Sequence, residues 1–162
     1  MKSGVTVTKD KTRDLFKAIS ELTKRDVLVG VPEDAPDRRG EGISNAALAY
    51  IHNFGAPAAN IPARPFLYEG IDDAQGKIAS QLGKGGKAAL DGDSAGVNKA
   101  LNSVGLVAQN AVRARINEGD FAPLAPSTIA ARKRMGDDDP KPLVVSGQLR
   151  NAITYVVVDK GK

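Results

Sequence analysis

Apolar residues recur at helical spacing through most of this chain and give way to β-rich runs only near its ends. Leu15, Ala18, Ile19 and Leu22 fall at three- and four-residue steps, which predicts a first helix from Asp10 or Lys11 to Thr23 with that stripe buried. Asp26 to Val31 reads DVLVGV and stops at Pro32, the pattern of a central strand. Ile43, Ala46, Ala47, Tyr50, Ile51 and Phe54 mark one face of a second helix. The Ser44 hydroxyl can cap it, and Gly55 supplies a left-handed stop. Pro65 suits the first turn of a third helix whose stripe is Leu67, Ile71, Ala74, Ile78 and Leu82, with GKGGK (83–87) breaking or fraying it.

The longest element is expected from Ser94 or Ala95 to about Asn117, where Val97, Leu101, Val104, Ala108, Ala111 and Val112 face one way. A short helix from about Ser127 to Arg134 follows, capped by Ser127 or Thr128. Ser146 then opens a single turn, GQLRN, ahead of the β-branched run Ile153 to Val158. Val5 and Val7 alternate around Thr6 as an edge strand or arm. The sum is an α+β chain: a small antiparallel sheet with a long central helix and several shorter helices. EDAPDRRGEG (33–42) and the polar stretch 135–141 read as flexible loops. With no linker strong enough to divide it, the chain (1–162) reads as a single domain.

Composition adds one constraint on the core. Aromatics make up 4% of the residues and Trp is absent, so burial rests on Ala, Val, Leu and Ile, and burial between subunits becomes a plausible contributor to stability. The absence of cysteine excludes disulfides and thiolate metal sites. No apolar run of membrane-spanning length and no apolar signal core occur in the sequence, so the expectation is a protein without membrane contact or signal-directed export.

The net charge is +4, from 23 basic and 19 acidic residues that are interspersed. The nearest approach to a basic, DNA-facing patch is Arg113, Arg115, Arg132, Lys133 and Arg134, followed at once by Asp137, Asp138 and Asp139. Catalytic chemistry has little to work with. His52 is the sole histidine, and no nucleophile elbow or paired acid accompanies it. The three consecutive aspartates diverge and lack the calcium-loop pattern, and neither a Walker nor a dinucleotide glycine motif is present. No catalytic residue, cofactor or metal ligand is expected.

Two Pro/Gly-punctuated segments remain, YIHNFGAPAANIPARPFL (50–67) and PLVVSGQLRNAITYVVV (142–158). Arg64 stands between two prolines, so its guanidinium should project from a stiff platform toward a carboxylate on a neighbouring subunit, or toward phosphate. Phe66 and Leu67 should insert into a core or an interface pocket. Leu149 and Ile153 read as core, leaving Arg150 outward. Tyr50, Arg64, Phe66, Leu67 and Arg150 are therefore the candidate subunit-interface residues.

HNFG with IPARPFL, and SGQLRNAI, resemble the signatures of tailed-bacteriophage neck and tail-completion proteins. Here the SGQLR segment follows the HNFG and IPARPFL pair, whereas in several related families it precedes it. The resemblance implies a non-enzymatic virion component at the head–tail junction, assembled in the host cytoplasm. Its implied partners are copies of itself, in a hexameric or dodecameric ring, neighbouring neck, connector or tail-tube proteins, and non-specifically the packaged DNA. The alternative from the residues alone is a nucleic-acid-binding accessory protein using the basic surface.

Overall fold

The computed structural model describes residues 10–33 and 42–161. The expected arm at Val5 and Val7 lies outside the described residues, as does all of the 33–42 loop except its two end residues. The fold is α+β: among the described residues there are seven α-helices, one of them long, and a two-stranded antiparallel sheet.

The elements are α1 (Thr12–Thr23), β1 (Arg25–Gly30), α2 (Asn45–Phe54), α3 (Phe66–Asp73), α4 (Gln75–Leu90), α5 (Ser94–Glu118), α6 (Pro126–Arg134), α7 (Gln148–Ala152) and β2 (Thr154–Asp159). β1 was expected to be central, yet among the described residues its one strand partner is β2. The chain forms two compact units, one built from the residues up to Leu28, Gly76–Gly105 and those from Val156 onward, the other from Val29–Gln75 and Leu106–Tyr155.

In the first unit, Ala18, Ala89, Val97 and Leu101 are buried together, with Ile19, Leu22, Val27 and Val157 packed around them. The α1 stripe read from the sequence is thus the face that is covered. α4 runs unbroken through the GKGGK stretch expected to interrupt it. Gly85 explains why: a Cβ there would lie 3.1 Å from the Ala100 Cβ and 3.4 Å from Leu22. Packing at that close approach offsets the helix cost of the glycines, about 1 kcal/mol each.

In the second unit the core is Phe66, Val112, Ile116, Leu149 and Ile153, flanked by Val29, Leu67, Ile71 and Phe121. Burying Phe66 alone is worth roughly 1.5–3 kcal/mol. The helix expected from Pro65 to Leu82 is two helices, with Ala74 (φ −97°, ψ 0°) between them. The Ala74 amide donates to the Ile71 carbonyl at 3.1 Å, an i−3 bond that tightens and closes the last turn of α3.

α2 begins as expected, with Ser44 Oγ accepting from the Ala47 amide at 3.1 Å. Its buried side is not the expected one. Asn45 and Asn53 are buried, whereas Tyr50 and Phe54 are 66% and 51% exposed. Neither Ser127 nor Thr128 caps α6; Ala125 precedes it and Pro126 occupies the first turn. Nor does Ser146 cap α7, because that position belongs to Gly147 at φ 75°, a left-handed conformation favouring glycine.

Candidate functional site

The first segment, and the second as far as Tyr155, lie in the second unit, and there they meet. Gly55 ends α2 at φ 79°, where a Cβ would stand 2.8 Å from the Ala63 amide nitrogen. That contact folds the chain after α2 back on itself. The segment is less extended than its prolines suggest: Pro57–Ala59 is a 3-10 turn, Asn60 is left-handed, and Ala56 bridges Ile61. The Arg64 amide then donates to the His52 carbonyl at 2.7 Å. The Asn53 side-chain oxygen accepts from the Leu67 amide at 3.1 Å.

These tethers turn Arg64 inward, correcting the expectation of a projecting arginine. Arg64 is only 4% exposed. Its Nε donates to the Ala122 carbonyl at 2.9 Å and one Nη to the Pro123 carbonyl at 3.2 Å. Burial holds the guanidinium's pKa below its ordinary value.

Arg64 lines a cleft of about 190 Å³ to which both segments contribute: His52 and Arg64 from the first, Leu143 and Val145 to Leu149 from the second, with Leu48 from the earlier part of α2 and Thr128 and Arg132 from α6. His52 is half-buried. Among the described residues, no grouping of histidine and carboxylate side chains could hold a metal ion.

A second cleft, about 250 Å³ and apolar, lies beside α2 and is lined by Val31, Ala49, Tyr50, Phe54, Phe66 and Leu67, with Asn53. Three rings gather at its side. Tyr50 and Phe54 have centroids 4.8 Å apart, and Phe54 meets Tyr68 edge-on at 6.1 Å. Tyr68 is itself 57% exposed. Phe66 and Leu67 are core or half-buried as anticipated, while Tyr50 stands on this open face. Tyr68 was missed by the sequence reading; its spacing of 18 from Tyr50 gives no signal without knowing how α2 and α3 pack.

The five-residue basic patch is largely engaged inside the chain. Arg113 donates to the Ile153 carbonyl at 2.7 Å and to that of Asn151. Arg115 pairs with Glu69 (2.5 Å) and Asp73 (3.5 Å) and lies over the Phe121 ring. Arg132 pairs with Asp137 at 2.5 Å and also donates to the carbonyls of Lys141 and Val144. The 135–141 stretch, read as a flexible loop, is thus anchored at Asp137 and Lys141. Lys133 and Arg134 are exposed, with Arg134 reaching back to the Ala130 carbonyl. Arg150, expected to point outward, is half-buried and donates to the Asn117 side chain at 3.3 Å.

No family model matches this chain, and no curated protein or solved structure matches it. No helix among the described residues is long and apolar enough to cross a membrane.

Proposed function

We propose that this protein is a non-enzymatic structural component of a tailed-phage or prophage virion, acting at the head–tail junction as a ring of its own copies against neighbouring neck or tail proteins. The observation that carries this reading is the exposed trio Tyr50, Phe54 and Tyr68 beside an apolar cleft. Three clustered aromatics are a large fraction of the seven in the whole chain. An exposed aromatic cluster beside a pocket has the composition of an interface core, not of ordinary solvated surface. The HNFG, IPARPFL and SGQLRNAI signatures support the same reading and specify the setting.

The nucleic-acid alternative draws on fewer residues than the sequence offered, because Arg113, Arg115 and Arg132 have partners within the chain. A phosphate-reading surface needs free cations.

Electron microscopy of particles made without this protein is the decisive test. Filled heads with unjoined or irregular tails are expected, and fully infectious particles lacking the protein would refute the proposal. Mass measurement of the purified chain should find a closed oligomer, with a lone monomer at every concentration counting against self-assembly.

A further inference from the structure

A buried cation ordinarily has a buried anion beside it, because desolvating a charge without compensation is costly. Arg64 breaks this pattern. Its guanidinium meets two backbone carbonyls and, among the described residues, no carboxylate. Nor does the cleft that it lines contain any aspartate or glutamate. The other cation there, Arg132, has its charge met by Asp137. What remains among the described residues is a small cleft with a fixed positive charge that no carboxylate meets, hydroxyls at Thr128 and Ser146, and apolar walls from Leu48, Leu124 and Leu143.

We propose that this cleft is a carboxylate-binding site, taking an aspartate or glutamate side chain, or a terminal carboxylate, presented on an otherwise apolar protein segment. The charge selects an anion, and a guanidinium already fixed by two carbonyls loses little freedom when it binds one. The walls select what carries the anion. A duplex presents its phosphates on a broad, strongly hydrated backbone, which matches neither a volume of about 190 Å³ nor leucine side chains. A carboxylate flanked by aliphatic side chains matches both. The assignment concerns the cleft beside α6 and α7, not the aromatic face, and does not depend on where the protein resides.

NMR titration of the ¹⁵N-labelled full chain tests it, following the Arg64 Nε–H and the Gly147 and Gln148 amides. The probes are sodium acetate, acetyl-Leu-Glu-amide, acetyl-Leu-Leu with a free terminus, inorganic phosphate and a short DNA duplex, each against sodium chloride at equal ionic strength. Acetate should shift these signals saturably. At least one peptide should bind about tenfold more tightly than acetate, as burial of a leucine side chain would provide. Whichever peptide is preferred distinguishes a side-chain from a terminal carboxylate. Thr128→Glu, which places a carboxylate in the cleft, should abolish the response, and Thr128→Gln should retain it. Shifts no larger than those from chloride would overturn the proposal. So would phosphate or DNA binding as tightly as the peptides, or an undiminished response in Thr128→Glu.

Discussion

Gly70 of α3 lies directly against the backbone of Val112 in α5: a Cβ at Gly70 would stand 2.7 Å from the Val112 Cα. Backbone cannot yield as the end of a flexible side chain can, so Gly70→Ala should push α3 off its seat over the Phe66 core. A loss of about 1–3 kcal/mol, typical of overpacking, is expected in urea unfolding. An unchanged midpoint would show that the two helices have slack.

Not every helical glycine is needed. A methyl group added at Gly83 or Gly86 would meet nothing within 4 Å, whereas one at Gly85 would face Ala100 and Leu22. Alanine at 83 and at 86 should each raise stability by about 0.5–1 kcal/mol, while Gly85→Ala should raise it less or lower it. Thermal unfolding of the three single variants separates these outcomes.

Replacing Arg64 removes a clamp as well as a charge. Arg64→Met leaves the carbonyls of Ala122 and Pro123 without their donors, and a cost of about 2–4 kcal/mol is expected. Arg64→Lys should recover only part of it, because an ammonium lacks the planar fork that bridges the two carbonyls. Denaturation of both variants checks the ordering.

The helical spacing of the sequence was enough to place α1, α2 and α5, because amphipathic periods and the Ser44 cap act locally. Locally encoded signals failed where the deciding partner was distant in sequence. Tyr50 and Phe54 look like core on apolarity alone, but Asn53 takes the inner position because its side chain is needed by the Leu67 amide. Arg64 looks projected because its prolines are stiff; what turns it inward is a pair of carbonyls 58 and 59 residues away. The glycines at 83–86 look like a break because nothing nearby in sequence announces Ala100. The convergence of the two signature segments on one cleft is likewise a tertiary fact.

Because Tyr50 and Phe54 are exposed, the double change Tyr50→Ser and Phe54→Ser should leave monomer stability within about 0.5–1 kcal/mol of the parent. Self-association measured by sedimentation should weaken sharply. If sedimentation is unaltered, copies of the chain meet elsewhere.

At the start of α1, the Asp10 carboxylate accepts from the Thr12 amide at 2.9 Å, and hydrogen bonding to Thr12 lowers its pKa. A lowered folded-state pKa means that the stabilisation is present above the ordinary carboxylate range and is lost as pH falls through the depressed value. Acidification should therefore fray the first turn of α1, visible as a smaller protection factor at the Thr12 amide once the intrinsic pH dependence of exchange is divided out. Asp10→Asn should reduce that pH dependence.

The aromatic face also provides a built-in optical signal. The chain contains three tyrosines and no tryptophan, and two of the three, Tyr50 and Tyr68, belong to the ring cluster. Two of the three tyrosine fluorophores thus lie at a single surface, unmasked by indole. Whatever covers that surface will change the intensity and anisotropy of the native protein, so its occupancy can be followed in solution without attaching any dye.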